Sequence, residues 1–272
     1  MAPSPVALVR AGLNRLRWVV ASPPQSVMSG ALALPLPPVA LRAGGVHFRD
    51  DAAFVASARA EAGQVVAELL AVGSRGLSVL DVGCGAGRLA YGLIAVDAPV
   101  VRYEGVDVMA PPIAWCRDTI SPVQPAYRFR TIDVYNERYN PTGSQAAIGV
   151  ALPFDDRTFD IAYAYSVFSH MHTEDVRAYL FEFARLLSDD GVAMVTAFVE
   201  EDVPDEVVNP PGYQGIAWGG ALHCVRFARA HFEAVVGDAG MRISNFEHGQ
   251  ATDGQSRITL RHRGPSDLDG PF

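Results

Sequence analysis

The sequence predicts an α/β protein with a mostly parallel sheet and helices on both of its faces. Three observations lead there. From Leu77 onward, short apolar runs alternate with stretches of helical spacing, as expected of buried strands joined by crossover helices. The first run ends directly in glycines at alternate positions, Gly83, Gly85 and Gly87, at the strand-to-helix turn that faces the ligand crevice of a parallel sheet. The 272 residues, 49% of them hydrophobic, can build the core of one such domain but hardly of two.

The elements follow in order. Residues 6–20, VALVRAGLNRLRWVV, fit a short amphipathic helix packed on the body, with a membrane-surface anchor as the sharper alternative. The proline-rich stretch 21–45 ends in Gly44-Gly45 and reads as extended. Residues 1–45 are therefore set apart as arm and linker, 46–264 as the folded domain and 265–272 as a flexible tail. Asp50 or Asp51 can cap a helix reaching about Leu70, because Phe54, Ala58, Val65 and Leu69 recur at helical spacing. Strands are expected at 77–82, 101–106, 126–132, 159–166 and 191–198, with helices near 87–96, 111–120 and 173–187. The last of these helices opens on Glu174-Asp175, which suits the positive end of its dipole. Residues 200–222, rich in Pro, Gly and acids, make a candidate lid. A helix at 226–239 and strands at 241–247 and 256–262 complete a set of seven strands.

Charge and cysteines narrow the classes of function. With 22 basic against 30 acidic residues, a net charge of −8, there is no surplus to neutralise a phosphate backbone, so nucleic acid is not the expected partner. Cys84, Cys116 and Cys224 form no CxxC, which argues against disulfides and zinc and for a reducing, cytoplasmic setting. No apolar run approaches the roughly 20 residues that span a bilayer, so neither a signal peptide nor a transmembrane helix is expected. A homo-oligomer is left open.

Glycines without Cβ atoms let a ligand lie against the main chain at a helix start whose amides can donate to it. A dinucleotide fingerprint would require its third glycine at position 88, which is Arg88. The segment Leu80-Asp81-Val82-Gly83-Cys84-Gly85-Ala86-Gly87 instead resembles the glycine loop of class I S-adenosylmethionine-dependent methyltransferases. Further matches are Leu152-Pro-Phe-Asp-Asp-Arg-Thr-Phe-Asp160, Tyr165-Ser-Val-Phe-Ser-His-Met171 and Phe183-Ala-Arg-Leu-Leu-Ser-Asp-Asp-Gly191, the last departing from the usual Pro-Gly-Gly. Together they span about residues 77–198. The resemblance implies a Rossmann-like seven-stranded fold and S-adenosylmethionine as cofactor. It also implies that Asp81 fixes the loop and the cofactor's amino group, and that Asp133 meets the adenine edge. From the residues themselves, Asp107 at the second strand end can accept both ribose hydroxyls, with Val108 or Met109 flanking the adenine. Cys84, Val134 and Ser166 complete the expected cofactor-binding set with Gly83, Gly85 and Gly87.

For the methyl acceptor, the insertion between Asp133 and Leu152, with loop residues near 135–151, is rich in aromatic and amide groups. With Tyr139-Asn-Pro-Thr-Gly143, Ser166–Met171 and Leu41-Arg-Ala-Gly-Gly45, it resembles bacterial methyltransferases associated with glycan and glycolipid assembly. That implies a sugar hydroxyl of a small molecule or oligosaccharide as acceptor, and aromatic rings and amides suit such a ligand. An alcohol needs a base: His170 and His172 at the fourth strand's end are the candidates, with Glu200 and His223 behind them. Arg42 and Arg226 are candidate contacts to substrate or cofactor carboxylate, although solvated arginines are commoner. A divalent metal on Asp155, Asp156 and a His could replace the base, but the metal-free reading is favoured. Methylation of nitrogen or carbon, and a non-catalytic binding module on the same fold, remain alternatives.

Overall fold

The computed structural model describes residues 26–29, 32–71 and 76–264; the segment 6–20 and the tail 265–272 lie outside them. Within the stretch expected to be linker, β1 (Ser26–Ser29) and β2 (Leu32–Pro35) form an antiparallel hairpin, followed by Leu36, which is buried in the core with Leu34. Helix α1 (Asp51–Ala71) comes next. Asp50 supplies its cap, accepting the Ala53 amide at 2.8 Å, which satisfies one of the donors a helix start leaves orphaned.

Strand β3 (Leu77–Val82) shows why the sheet forms. Successive side chains point to opposite faces: Leu77 and Val79 are buried in one hydrophobic layer, Leu80 and Val82 in the other. Apolar residues at both phases of a two-residue period require an interior strand. Helix α2 (Arg88–Ala95), β4 (Val100–Asp107), α3 (Ala110–Thr119) and β5 (Tyr127–Thr131) make one wing. The other wing contains β6 (Phe159–Ala164), α4 (Thr173–Leu186) and β7 (Leu187–Glu200), then β8 (Glu206–Val208), β9 (Val225–Ala228), α5 (Arg229–Asp238), β10 (Met241–Glu247) and β11 (Ser256–His262). The strand order is β10-β11-β7-β6-β3-β4-β5. Neighbours from β7 to β5 are parallel, and β11 runs antiparallel to both β7 and β10. This is the expected seven-stranded Rossmann-like sheet. Helices α1, α2 and α3 contribute to one core layer, α4 and α5 to the other.

One close approach sets the helix layer. A Cβ at Gly92 of α2 would lie 1.9 Å from the Ala58 carbonyl oxygen of α1, so only glycine lets the two helices meet there. The winding reverses between β3 and β6, and the crevice beyond their carboxyl ends is where an open α/β sheet binds ligands.

The structure departs from the sequence reading beyond β7. The stretch expected to be irregular contains β8, which pairs antiparallel with β9, and β9 pairs in parallel with the end of β7. The helix expected from residue 226 starts at Arg229, because Val225 and Phe227 alternate inward in β9. Strand β6 likewise stops at Ala164, short of 166, and Ser166 takes a left-handed φ of 56° at the crevice. Among the described residues, no helix is long and apolar enough to cross a membrane.

Candidate active site

The loop after β3 is pulled over the end of β4 by two hydrogen bonds, the Gly83 and Cys84 amides donating to the Val106 carbonyl at 2.8 and 3.2 Å. A Cβ at Gly83 would sit 2.4 Å from Val167 Cγ2, and at φ 71° a side chain is disfavoured in any case. At Gly85, φ 51°, a Cβ would meet nothing within 4 Å: here bare main chain faces open space. Gly83, Cys84 and Gly85 line a cavity of about 1230 Å³, open mouth included. Gly87 does not line it; it caps α2 and packs toward Cys116 Sγ. Cys84 is a buried thiol whose pKa burial pushes well above its usual value, so it is not a thiolate nucleophile.

Two buried carboxylates flank this loop. Asp107 closes β4, and its Oδ2 and Oδ1 accept the Gly85 and Met109 amides, each at 2.8 Å. It thereby ties the glycine loop to the start of α3 while lining the cavity, and a carboxylate's four acceptor sites leave it capacity for a ligand there. Burial raises its pKa, opposed by the Met109, Gly85 and Val108 amides. Asp81 accepts the Tyr103 hydroxyl. Desolvation lifts its pKa to about 7, against the Tyr103 hydrogen bond and the nearby Arg88 charge. Val108, Met109, Val134 and Ser166 also line the cavity. Asp133 does not: its exposed carboxylate accepts from Ser144 and from Asn140 at 3.5 Å, and the Ser144 bond lowers its pKa. The insertion expected to serve the substrate has captured this acid and turned it outward, while its neighbours Ile132 and Val134 face in.

The two histidines separate. His170 lines the cavity, with Nδ1 2.9 Å from the Leu222 carbonyl. A carbonyl only accepts, so Nδ1 carries the proton and Nε2 carries the lone pair. Burial lowers the pKa of His170 to about 4, which keeps the ring neutral. Tyr139 packs edge-on against it at 5.4 Å, and the Asn136 amide holds its carbonyl at 3.0 Å. His172 lies off the cavity: it stands at the cap of α4, paired through Nδ1 with Glu206 of β8 at 2.6 Å. Glu206 also accepts from the Thr173 amide and hydroxyl, so this pair pins the β8 flap to a helix end.

The remaining candidates are engaged outside the cavity. Glu200 accepts the Tyr213 hydroxyl and pairs with His248, His223 contacts Gly219, and Arg226 lies over the Tyr213 ring. Arg42 reaches the cavity wall, but its guanidinium is bound to Asp51 and the carbonyls of Pro37 and Phe48. Asp156 is paired with Arg185. Among the described residues no three His, Cys, Asp or Glu side chains come together as a ligand set.

Sequence reasoning missed several lining groups, among them Arg88, Tyr179 and the pair Thr252 and Asp253. It also missed Glu61, buried behind the cavity and accepting the Tyr163 hydroxyl. Glu61 had a signal, an acid at a core-phase position between Ala58 and Val65 on α1. Thr252 and Asp253 had none, because they arrive from the β10–β11 turn, where Thr252 meets the Tyr165 hydroxyl.

Comparison with known proteins matches residues 54–242 to the family described as Methyltransferase domain. The chain belongs to this methyltransferase family. Solved structures similar to it include magnesium protoporphyrin IX methyltransferase from Synechocystis with bound SAM, at 17% identity over 83% of this chain and 88% of that one, TM-score 0.51. An S-adenosylmethionine-dependent methyltransferase from Clostridium acetobutylicum shares 11% identity over 75% of this chain and 91% of its own, TM-score 0.51. The 4+2 cyclase SpnF shares 16% over 94% and 92%, also at 0.51. At such identities the likeness of this methyltransferase to each is one of fold.

Proposed function

We propose that this protein transfers a methyl group to a hydroxyl of a sugar or glycoside, with His170 as the base. Its cofactor is S-adenosylmethionine, and the cavity's donor set fits that molecule. Open space lies above the Gly85 main chain. Asp107 keeps lone pairs for a diol. Val108, Ile132 and Val134 offer an apolar slot suited to a base, and Asp81 offers a carboxylate suited to an ammonium group. When bound, the cofactor supplies an electrophilic methyl on a sulfonium.

The observation that carries the reading is the state of His170, a neutral imidazole in the cavity wall whose Nδ1 is committed to Leu222. Its Nε2 is thus the proton acceptor for the attacking hydroxyl. An alcohol oxygen becomes strongly acidic as it bonds to carbon, so even a weakened imidazole suffices. Asn136 and Tyr139 hold this histidine, the Asn136 amide being spent on the His170 carbonyl and on the Arg138 and Tyr139 amides, and the Tyr135 and Tyr139 rings stand at the same wall, groups that stack on sugar faces. The likeness to a cyclase is a reminder that fold does not imply function, so the reading rests on these side chains.

The test is incubation with methyl-labelled cofactor and a panel of mannosides, glucosides, rhamnosides and matched amino compounds. Label on a glycoside oxygen, lost in His170→Ala, is expected. Label only on amines would sink the hydroxyl assignment.

A further inference from the structure

We infer that Arg138 is a positioning residue for His170: from the insertion after β5 it fixes the main chain that holds the ring's Nδ1 proton, and so decides which nitrogen is free to accept one. The inference rests on the reading of His170 as the base. Leu222, whose carbonyl accepts from His170 Nδ1 at 2.9 Å, has a left-handed φ of 41°. A branched side chain keeps that conformation only where its surroundings force it. Here three successive carbonyls are each held by a different residue: Gly220 accepts from Asn209 Nδ2 at 2.7 Å, Ala221 from Arg138 Nη1 at 3.2 Å and Leu222 from His170. Asn209 also accepts the Cys224 amide at 2.9 Å, and the Leu222 side chain is buried in the core.

Asn209 belongs to the same segment as the carbonyls, so it is Arg138 that ties them to the insertion. Its neighbour Asn136 accepts the Arg138 amide at 3.0 Å and gives its own Nδ2 to the His170 carbonyl at 3.0 Å. One short turn thus grips both the imidazole's own backbone and the backbone that orients its ring. The charge of Arg138 has a second consequence. A strut would pair with a carboxylate, yet among the described residues none pairs with Arg138. Its Nε is buried without an acceptor, and its guanidinium carbon lies 5.5 Å from the Tyr139 ring centroid, the ring that meets His170 edge-on. Burial is the main cause of the low pKa of His170; the charges of Arg138 and His223 add to it, and the backbone bonds to Leu222 and His223 oppose it.

The experiment is a pH titration of the full chain by ¹⁵N NMR of the histidine rings, which reads the tautomer and charge of His170 without any acceptor substrate, beside kcat and calorimetric affinity for S-adenosylhomocysteine. Wild type is expected to carry its proton on Nδ1 and to take a second near pH 4. In Arg138→Met the ring should titrate higher, toward its ordinary 6.5, and populate both tautomers. Its kcat should fall roughly tenfold, about what one hydrogen bond to a charged group contributes, with nucleoside affinity unchanged. Arg138→Lys, which keeps the charge without the fork, should keep the low titration and recover part of kcat. A Met variant that leaves either the ring titration or the turnover as in wild type, or that loses nucleoside affinity along with kcat, overturns the assignment. If the Met variant does not fold, the Lys variant decides, since a ring titrating near 6.5 with the charge in place overturns it equally. A wild-type ring protonated on Nε2 overturns the reading of His170 as the base as well. If wild type methylates no glycoside, the proposed function falls, and the ring titration and tautomer alone decide the positioning.

Discussion

Replacing Asp81 by Asn should stabilise the protein, and should do so more as the pH rises. The Asp81 carboxyl is buried and held near pKa 7, against an ordinary 3.8, chiefly because burial disfavours its charge. The groups facing it are the Tyr103 hydroxyl and Asp107 from β4, Arg88 from α2 and Glu61 from α1. Below pH 3.8 both folded and unfolded chains keep the proton, and there is no penalty. Between 3.8 and about 7 the unfolded chain has released it while the folded one has not, so stability falls as pH rises. Above about 7 the full cost is present. At about 1.4 kcal/mol per pH unit, the interval amounts to a cost on the order of 4 kcal/mol, of which about 3 falls above pH 5. Asn can still accept the Tyr103 hydroxyl and has no proton to release. Urea unfolding of both proteins at pH 5, 6, 7 and 8.5 isolates this group, since other titrations cancel in the difference. The stability of Asp81→Asn minus that of wild type should climb by a few kcal/mol across the series, and the variant should bind S-adenosylhomocysteine more weakly. A difference that stays flat would refute the burial argument, and one that falls would mean that the Arg88 charge outweighs desolvation.

Four further outcomes follow from the geometry. His170→Ala should lower kcat by about 10²- to 10⁴-fold, the usual range for a general base, while calorimetry shows nearly unchanged affinity for S-adenosylhomocysteine. In wild type the acid limb of kcat should fall near pH 4, where His170 takes a proton, rather than near 6.5. Asp107→Asn replaces one of two acceptors by an NH₂ that must face the Gly85 or Met109 amide. A buried donor left unpaired costs about 1–3 kcal/mol, so melting should come earlier, and with one acceptor fewer for the diol nucleoside affinity should fall about five- to a hundredfold in titration. Gly92→Ala brings a Cβ to 1.9 Å from the Ala58 carbonyl; separating α1 from α2 should cost about 1–3 kcal/mol, as core overpacking does, read as a lower urea midpoint with unchanged secondary structure by circular dichroism.

Most of the sheet was legible because its signals are local. Strand β3 was read at its observed bounds, since apolar residues at both strand phases followed by alternate glycines allow few other structures. Helix α1 was read to within a residue or so from its spacing. Strands β8 and β9 were not, because three or four residues are too few to display a period. They exist by pairing with each other and with the end of β7, and that partnership is nowhere in their own sequence.

The same division explains the cavity. Asp107 could be named in advance because a strand end fixes where a side chain stands, and the turn that follows is set by its neighbours. Asp133 was expected at a strand end too, but β5 stops at Thr131 and, two residues beyond it, the exposed Asp133 carboxylate accepts the hydroxyl of Ser144, eleven residues away. His170 and His172 differ by two positions, and what separates them is again remote: the Leu222 carbonyl draws one ring to the cavity wall, and Glu206 draws the other to the flap. Both partners lie in the segment between β7 and β9. None of its residues lines the cavity, yet that segment decides which imidazole the crevice contains. Shortening it should cost catalysis through the orientation of His170 before it costs nucleoside affinity, because the groups proposed to hold the nucleoside stand on β3 and β4 and in the loops that follow β3, β4 and β5, apart from that segment.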